Sequence, residues 1–199
     1  LFLQRVGGAF PPAFVGLDGK QTLVGKPAVY ASVSMSTDGQ WLVVTRVKRP
    51  YSYVVPAGLF PRDVELWDRT GRVVRQIADV PMGDTIPTNG VFAGPRSFTW
   101  HALEPATLYW AEALDKGDIR NKVPHRDRLM VLKAPFTGEP SELLKTEWRY
   151  GGIQFTEKSA VLLSESDRAT RMRRTWVSDN DAPRKAWELL QEDRYKDPG

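Results

Sequence analysis

The chain has 199 residues, 41% hydrophobic and 26% charged, with a net charge of +4, seven tryptophans and no cysteine. That is enough chain for one sizeable core, while the lack of cysteine excludes disulfides and thiol chemistry. No apolar run reaches the roughly 18 residues that a membrane-spanning helix needs, and the small net charge, with acids scattered among the bases and no stripe of stacking aromatics, points away from nucleic acid.

Residues 1–29 are the least regular part. Leu3–Val6 reads as a short strand and Gly7–Pro12 as a Gly/Pro loop. Ala13–Leu17 then runs into Asp18-Gly19-Lys20, a hairpin turn, and Gln21–Val24 returns. Asp can bond its own backbone and Gly accepts positive φ, so Asp-Gly marks the turn.

From Ala31 to Ala78 the chain alternates short apolar runs with turn signals. Val33 and Met35 alternate with serines, Thr37-Asp38-Gly39 turns, and Trp41–Val44 reads as a buried strand. A loop carrying Pro50, Pro56 and Pro61 cannot be a central strand. Val64–Trp67 alternates again, Arg69-Thr70-Gly71 turns, and Val73, Val74 and Ile77 close the set. Four strands in about 48 residues match the size of one propeller blade.

The Gly/Pro-rich stretch 79–95 reads as a crossover, longer than most loops. A second set follows: Arg96–Trp100, Thr107–Ala113, Arg128–Leu132 and Glu142–Thr146. A third set is Gly151–Phe155, Ala160–Glu165, Arg173–Val177 and Ala186–Leu190, where Trp187–Leu190 could instead make a short helical turn. The turns Thr156–Lys158 and Asn180–Pro183 separate its members.

Three repeats of one four-run order predict an all-β fold, a partial β-propeller with about three complete four-stranded antiparallel blades plus part of another. The predicted divisions are a partial blade over 1–29 and blades over 30–80, 94–147 and 150–191. A β-sandwich with similar hairpins is the competing architecture.

In a propeller the loops between second and third strands share a face with the crossovers. Here those loops are long and charged: Arg46, Lys48, Arg49, Tyr51 and Tyr53 in the first set, Glu112, Asp115, Asp118, Arg120 and His125 in the second, Glu165, Asp167, Arg168 and Arg171 in the third. The asymmetry predicts one face that meets a partner or a charged substrate, although for any single residue a solvated rim charge is the simpler expectation. The densest basic cluster is Arg168, Arg171, Arg173 and Arg174.

No catalytic pattern accompanies these loops. There is no Gly-x-Ser-x-Gly elbow. His101 falls in a hairpin turn, and His125, beside Asp127, has no positioned nucleophile. Two scattered histidines make no zinc site, and Asp115, Asp118 and Asp127 lack a calcium-loop spacing. No catalytic residue, metal ligand or cofactor is expected in the chain.

Several segments resemble the N-terminal propeller of bacterial peptidases of the prolyl oligopeptidase family, in its glutamyl endopeptidase-like branch. They include Tyr30–Ser34, Arg49-Pro50-Tyr51-Ser52-Tyr53, Phe60–Asp68, Gly94–Ser97, Ala106–Ala113, Pro124–Asp127 and Glu192–Tyr195. They occur in the family's order from Gln21 onward. The resemblance implies a lid over an α/β-hydrolase domain that carries a Ser-Asp-His triad and cleaves peptide bonds. That domain is absent from this chain, whose first residue is Leu1 and whose ends read as cuts within a longer protein. The chain is then expected to be inactive alone and to gate substrate access, with the hydrolase domain and a peptide substrate as partners.

Arg46, Arg49, Arg168 and Arg171 are the expected substrate-binding residues, since a guanidinium fork suits an acidic side chain. A stand-alone binding or scaffold propeller without an enzymatic partner is the rival reading. Exposed edges in an open array are expected to make the chain self-associate or close by irregular pairing. It is expected to be soluble, with its compartment open between bacterial periplasm or secretion and cytoplasm.

Overall fold

A computed structural model describes residues 10–156, 160–179, 182–193 and 195. The expected strand Leu3–Val6 lies outside these residues, as do parts of the turns at 156–158 and 180–183. Among the described residues the fold is all-β, with fourteen strands and only two single-turn 3-10 segments. The strands form one two-stranded and three four-stranded antiparallel sheets.

The chain divides into two compact units. One takes the described residues up to Ile86 together with Lys133–Glu139; the other takes Pro87–Leu132 and the described residues from Pro140 onward.

In the first unit, β1 (Ala13–Val15) and β2 (Gln21–Leu23) make a hairpin. Gly19 turns it at φ 78°, and Asp18 Oδ1 accepts the Lys20 amide at 3.0 Å. The four-stranded sheet follows as β3 (Val29–Met35), β4 (Trp41–Val47), β5 (Arg62–Asp68) and β6 (Val73–Val80), each paired to the next. Its turns form as the sequence predicts. Gly39 takes φ 70° after Asp38, whose Oδ1 accepts from Ser36 and the Gln40 amide. At the β5–β6 turn Gly71 takes φ 89°, and a Cβ there would lie 2.5 Å from the Gly25 nitrogen, so no other residue fits.

The β4 and β5 strands are buried through their centres because both are inner strands of the sheet. Val24, Leu42, Val44 and Trp67 form the core, with Phe14 of the hairpin packed against it and Tyr30 meeting Trp67 edge-on at 6.1 Å. Residues 133–139 add Phe136, which is buried and meets Trp41 edge-on at 5.1 Å, while Arg75 Nη1 donates to the Phe136 carbonyl at 3.1 Å.

The second unit holds two such sheets. The first is β7 (Arg96–Trp100), β8 (Thr107–Ala113), β9 (Asp127–Lys133) and β10 (Ser141–Thr146). The second is β11 (Arg149–Phe155), β12 (Val161–Asp167), β13 (Met172–Ser178) and β14 (Arg184–Leu190). The segment Trp187–Leu190 is strand, paired with β13, and not a helical turn. Tyr109, Ala111 and Leu129 of one sheet pack against Tyr150 and Ile153 of the other, with Phe155 and Leu163 at the margin. Each fully buried side chain of this size contributes about 1.5–3 kcal/mol. His101 stacks on Phe155 at 3.7 Å, and its Nδ1 accepts the amides of Leu103 and Glu104, which closes the β7–β8 turn.

The three four-stranded sheets span 29–80, 96–146 and 149–190, and each is a meander in which every strand pairs with its neighbour in sequence. That order is the one a propeller blade has.

Candidate functional site

Antiparallel order puts the loop between second and third strands at the same end of a sheet as its entry and exit. In the second unit that end collects the entry segment before β7, residues 114–126, the start of β11, residues 168–171 and the exit after β14. These loops were expected to be solvated. The structure instead buries two of their carboxylates, Asp115 and Asp127, which are 1% and 0% exposed.

Arg149 ties the two aspartates together. Its Nη2 donates to Asp115 Oδ2 at 2.5 Å and its Nη1 to Asp127 Oδ1 at 2.6 Å. Arg126 Nη1 adds a second bond to Asp115 Oδ2 at 2.9 Å. Arg96 Nη2 stands 2.6 Å from Asp127 Oδ2, an ion contact off hydrogen-bond geometry, and the Tyr150 amide donates to that same oxygen at 2.7 Å. Three guanidiniums thus surround two carboxylates, which leaves a net positive charge at the base of the loops. Burial works against the Arg149 charge, and Asp115 and Asp127 more than offset it, so its pKa lies above the ordinary value.

Above this network lies a cleft of about 390 Å³. Arg126, Arg149 and Arg168 line it with Gly90, Val91 and Gln191. The wall at Gly90 and Val91 is drawn onto the β8–β9 loop by the Val91 amide, which donates to the Gly117 carbonyl at 2.9 Å. Gly117 takes φ 77°, and a Cβ there would lie 2.0 Å from the Val91 carbonyl oxygen. Asp167 also borders the cleft, but its carboxylate is turned into its own loop, accepting the Thr170 hydroxyl at 2.8 Å. A neighbouring depression of about 440 Å³ is lined by Arg173, Glu165 and Gln191.

The four arginines expected from sequence fall in different settings. In the first unit, Arg46 grips Glu65 with two bonds, Nε to Oε2 at 3.0 Å and Nη2 to Oε1 at 2.5 Å. Arg49 lies over the Tyr51 ring at 5.5 Å and has no acidic partner among the described residues. In the second unit, Arg171 pairs with Glu192 at 2.8 Å, while Arg168 is exposed and has no hydrogen-bond or ion-pair partner among the described residues. The basic cluster is therefore dispersed. Arg174 is buried, bonded to Glu165 and Glu147, with its guanidinium 3.9 Å from the Trp148 ring.

The β4–β5 loop of the first unit is built differently. Tyr51 and Phe60 pack at 5.7 Å, and Ser52 Oγ accepts the Val54 and Val55 amides at 3.0 and 3.1 Å. This raises Tyr53 and Val54 as an exposed apolar tip. At the loop's base Lys48 bonds Asp63 at 2.8 Å and Asp79 at 2.6 Å, and these contacts, the Asp63 one foremost, raise its pKa.

Sequence reasoning missed a device found in each four-stranded sheet: one glutamate that accepts from both an arginine and a tryptophan indole. Glu65 takes Arg46 and Trp67, Glu112 takes Arg128 and Trp110, and Glu165 takes Arg174 and Trp176, with indole bonds of 2.8, 2.9 and 2.7 Å. The usable signal was the repeated placement of Trp two residues from Glu or Arg on one strand. His125 makes no site with Asp127, whose oxygens are taken by Arg96, Arg149 and the Tyr150 amide. Among the described residues no group of His, Asp or Glu could hold a metal ion, and no helix is long and apolar enough to cross a membrane.

No family model matches the chain. It is similar to a protein named probable glutamyl endopeptidase, chloroplastic, from Arabidopsis thaliana, 44% identical over 191 residues, and to one of the same name from Oryza sativa subsp. japonica, 41% identical over 190. Each match covers 92% of this chain and 20% of the relative, so the chain spans about a fifth of the length of these curated relatives. Both are named as chloroplast proteins, a compartment outside the bacterial ones expected from sequence. A solved structure described as that of the eukaryotic initiation factor aligns with 86% of this chain and 35% of its own, at 11% identity and a TM-score of 0.46.

Proposed function

We propose that this chain is the substrate-access portion of a serine peptidase of the prolyl oligopeptidase family, close to the glutamyl endopeptidases, with its sheets acting as blades of a propeller. The observation that carries the reading is the 44% identity to a protein named glutamyl endopeptidase across 92% of the chain. The three meander sheets, each in blade order, support it.

In this reading the reactive serine, aspartate and histidine belong to an α/β-hydrolase domain elsewhere in the protein, and the charged loop ends face it or the peptide on its way in. Arg46, Arg49, Arg168 and Arg171 are the candidate contacts for acidic substrate groups. Self-association of the isolated chain through its open sheet edges belongs to the same proposal.

The test is to compare the 199-residue chain with the full-length protein on fluorogenic peptides containing Glu or Pro. Full-length protein is expected to hydrolyse them and to be silenced by a serine-reactive inhibitor, whereas the chain alone is expected to be inert. Hydrolysis by the chain alone, or none by a full-length protein lacking a Gly-x-Ser-x-Gly elbow, refutes the proposal; the latter result favours a scaffold propeller. Sedimentation of the chain as a monodisperse monomer would refute the self-association.

A further inference from the structure

We propose that the cleft of the second unit, between Arg126, Arg149 and Arg168, is a receptor for a peptide carboxylate. The inference rests on the preceding reading, which supplies a peptide ligand and Arg168 as a contact for its acidic groups; it adds the cleft itself, with Arg126 as the second donor and Arg149 as its strut.

The base of the cleft is already arranged. Arg149 is locked between Asp115 and Asp127 by bonds of 2.5 and 2.6 Å, so it serves as a positioned strut. Arg126 spends only Nη1 on Asp115, at 2.9 Å. Its Nε and Nη2 have no partner among the described residues, which leaves two donors on a guanidinium whose orientation is set from behind. Arg168 stands at the mouth on its own loop, exposed and without an acidic partner among the described residues.

The charge balance favours an anion. Arg96, Arg126 and Arg149 outnumber Asp115 and Asp127, and Arg168 adds a further positive charge at the mouth. The remaining acid on the rim, Asp167, has its oxygens occupied by its own loop, at 3.3 Å from the Ala169 and Thr170 amides and 2.8 Å from the Thr170 hydroxyl. These neutral donors orient the Asp167 carboxylate without cancelling its charge; with it counted, Arg96, Arg126, Arg149 and Arg168 still outnumber Asp115, Asp127 and Asp167 by one.

The shape favours a carboxylate on a chain. The volume of about 390 Å³ is right for a few residues' worth of side chain. The Gly90–Val91 edge presents backbone without a bulky side chain at Gly90, and this segment is held by the Gly117 carbonyl. A planar fork such as Arg126 matches the two oxygens of a carboxylate. Arg168, which no described residue holds elsewhere, can swing onto the second face.

The test uses full-length protein and three small probes: N-acetylglutamate α-amide, its uncharged isostere N-acetylglutamine α-amide, and N-acetylglutamine with a free α-carboxylate. Binding is read by ligand-observed NMR on protein treated with the serine-reactive inhibitor, so that hydrolysis of an α-amide does not enter the signal. A carboxylate probe is expected to bind about tenfold or more tightly than the uncharged amide. The preference should fall towards one in Arg168→Ala, recover in part in Arg168→Lys, and shrink as salt is raised. The two carboxylate probes decide whether a side-chain or a C-terminal carboxylate is the better ligand; either upholds the site.

Arg168 is exposed and has no partner among the described residues, so Arg168→Ala should leave the thermal unfolding of the protein unchanged. No carboxylate preference in the parent protein, or the same preference in Arg168→Ala, overturns the proposal. Peptide hydrolysis that persists with no Arg168-dependent binding would remove the cleft and leave the peptidase reading. Carboxylate binding at Arg168 without hydrolysis would do the reverse.

Discussion

Glu165 and Arg174 face each other directly across the β12–β13 ladder, and Arg174 Nε donates to Glu165 Oε1 at 2.5 Å. The same carboxylate accepts the Trp176 indole at 2.7 Å and the Trp148 amide at 2.8 Å. One buried acid therefore satisfies three donors. A buried charge is tolerated only when it is paired and hydrogen-bonded, which explains how Glu165 can be 2% exposed.

Removing that acid should be far costlier than neutralising it. Glu165→Ala leaves Arg174 Nε, an indole and an amide without their acceptor, with only Glu147 still holding the guanidinium. It is expected to destabilise the chain by about 3–5 kcal/mol. Glu165→Gln keeps an acceptor oxygen and should cost less. Urea unfolding followed by tryptophan fluorescence gives both values; equal losses in the two variants would show that charge alone matters there.

The Asp115–Arg149–Asp127 chain makes a second prediction. Asp127→Ala leaves Arg96 without its acid, takes one of the two acids from Arg149 and removes the acceptor of the Tyr150 amide, with an expected loss of about 3–5 kcal/mol. Asp118, which pairs with exposed Arg120 at 2.8 Å, is the control. Asp118→Ala should unfold close to the parent, because a solvent-screened surface pair contributes little. Comparable losses in the two variants would mean that the buried network contributes no more than a surface pair.

Gly117→Ala tests the wall of the cleft. The backbone there has φ 77°, and the added methyl would collide with the Val91 carbonyl oxygen. A strained left-handed residue costs about 1–3 kcal/mol, and relief of the clash should loosen the segment around Val91. Hydrogen exchange should therefore quicken at the Val91 amide, which donates to the Gly117 carbonyl. Unchanged protection at that amide would contradict the account of the wall.

Two buried tyrosines set the alkaline limit. Burial pushes the phenols of Tyr109 and Tyr150 up to about 12 from an ordinary value of 10, and the charge of nearby Arg96 only partly opposes this at Tyr150. The unfolded chain then ionises these phenols at lower pH than the folded one does. Their contribution is fully present below pH 10 and is lost as pH rises towards about 12. Absorbance titration at the phenolate band should show these two groups ionising late, towards about pH 12. Tyr109→Phe, which removes one lagging group, should reduce the slope of stability against pH in that window. An unaltered slope would count against burial as its source.

Strand order was legible because it depends on local chemistry. Thr37-Asp38-Gly39 and Arg69-Thr70-Gly71 make their turns as Gly and Asp demand, and the run Thr107–Ala113 is a strand over that whole range. Trp187–Leu190 was ambiguous, since four residues cannot separate a helical from an extended period; pairing with β13 decided it. The network at Asp115 and Asp127 could not be read in advance. An aspartate in a charged loop looks solvated until its distant partners are known, and Arg149 lies 34 residues beyond Asp115.

Alternation and turn chemistry in the sequence thus determined the sheets, because each hairpin closes on residues a few places apart. The tertiary structure alone decided which charges are buried and paired and which, like Arg168, have no partner among the described residues. That outcome depends on side chains from separate strands meeting out of water, where an unpaired charge is too costly to remain.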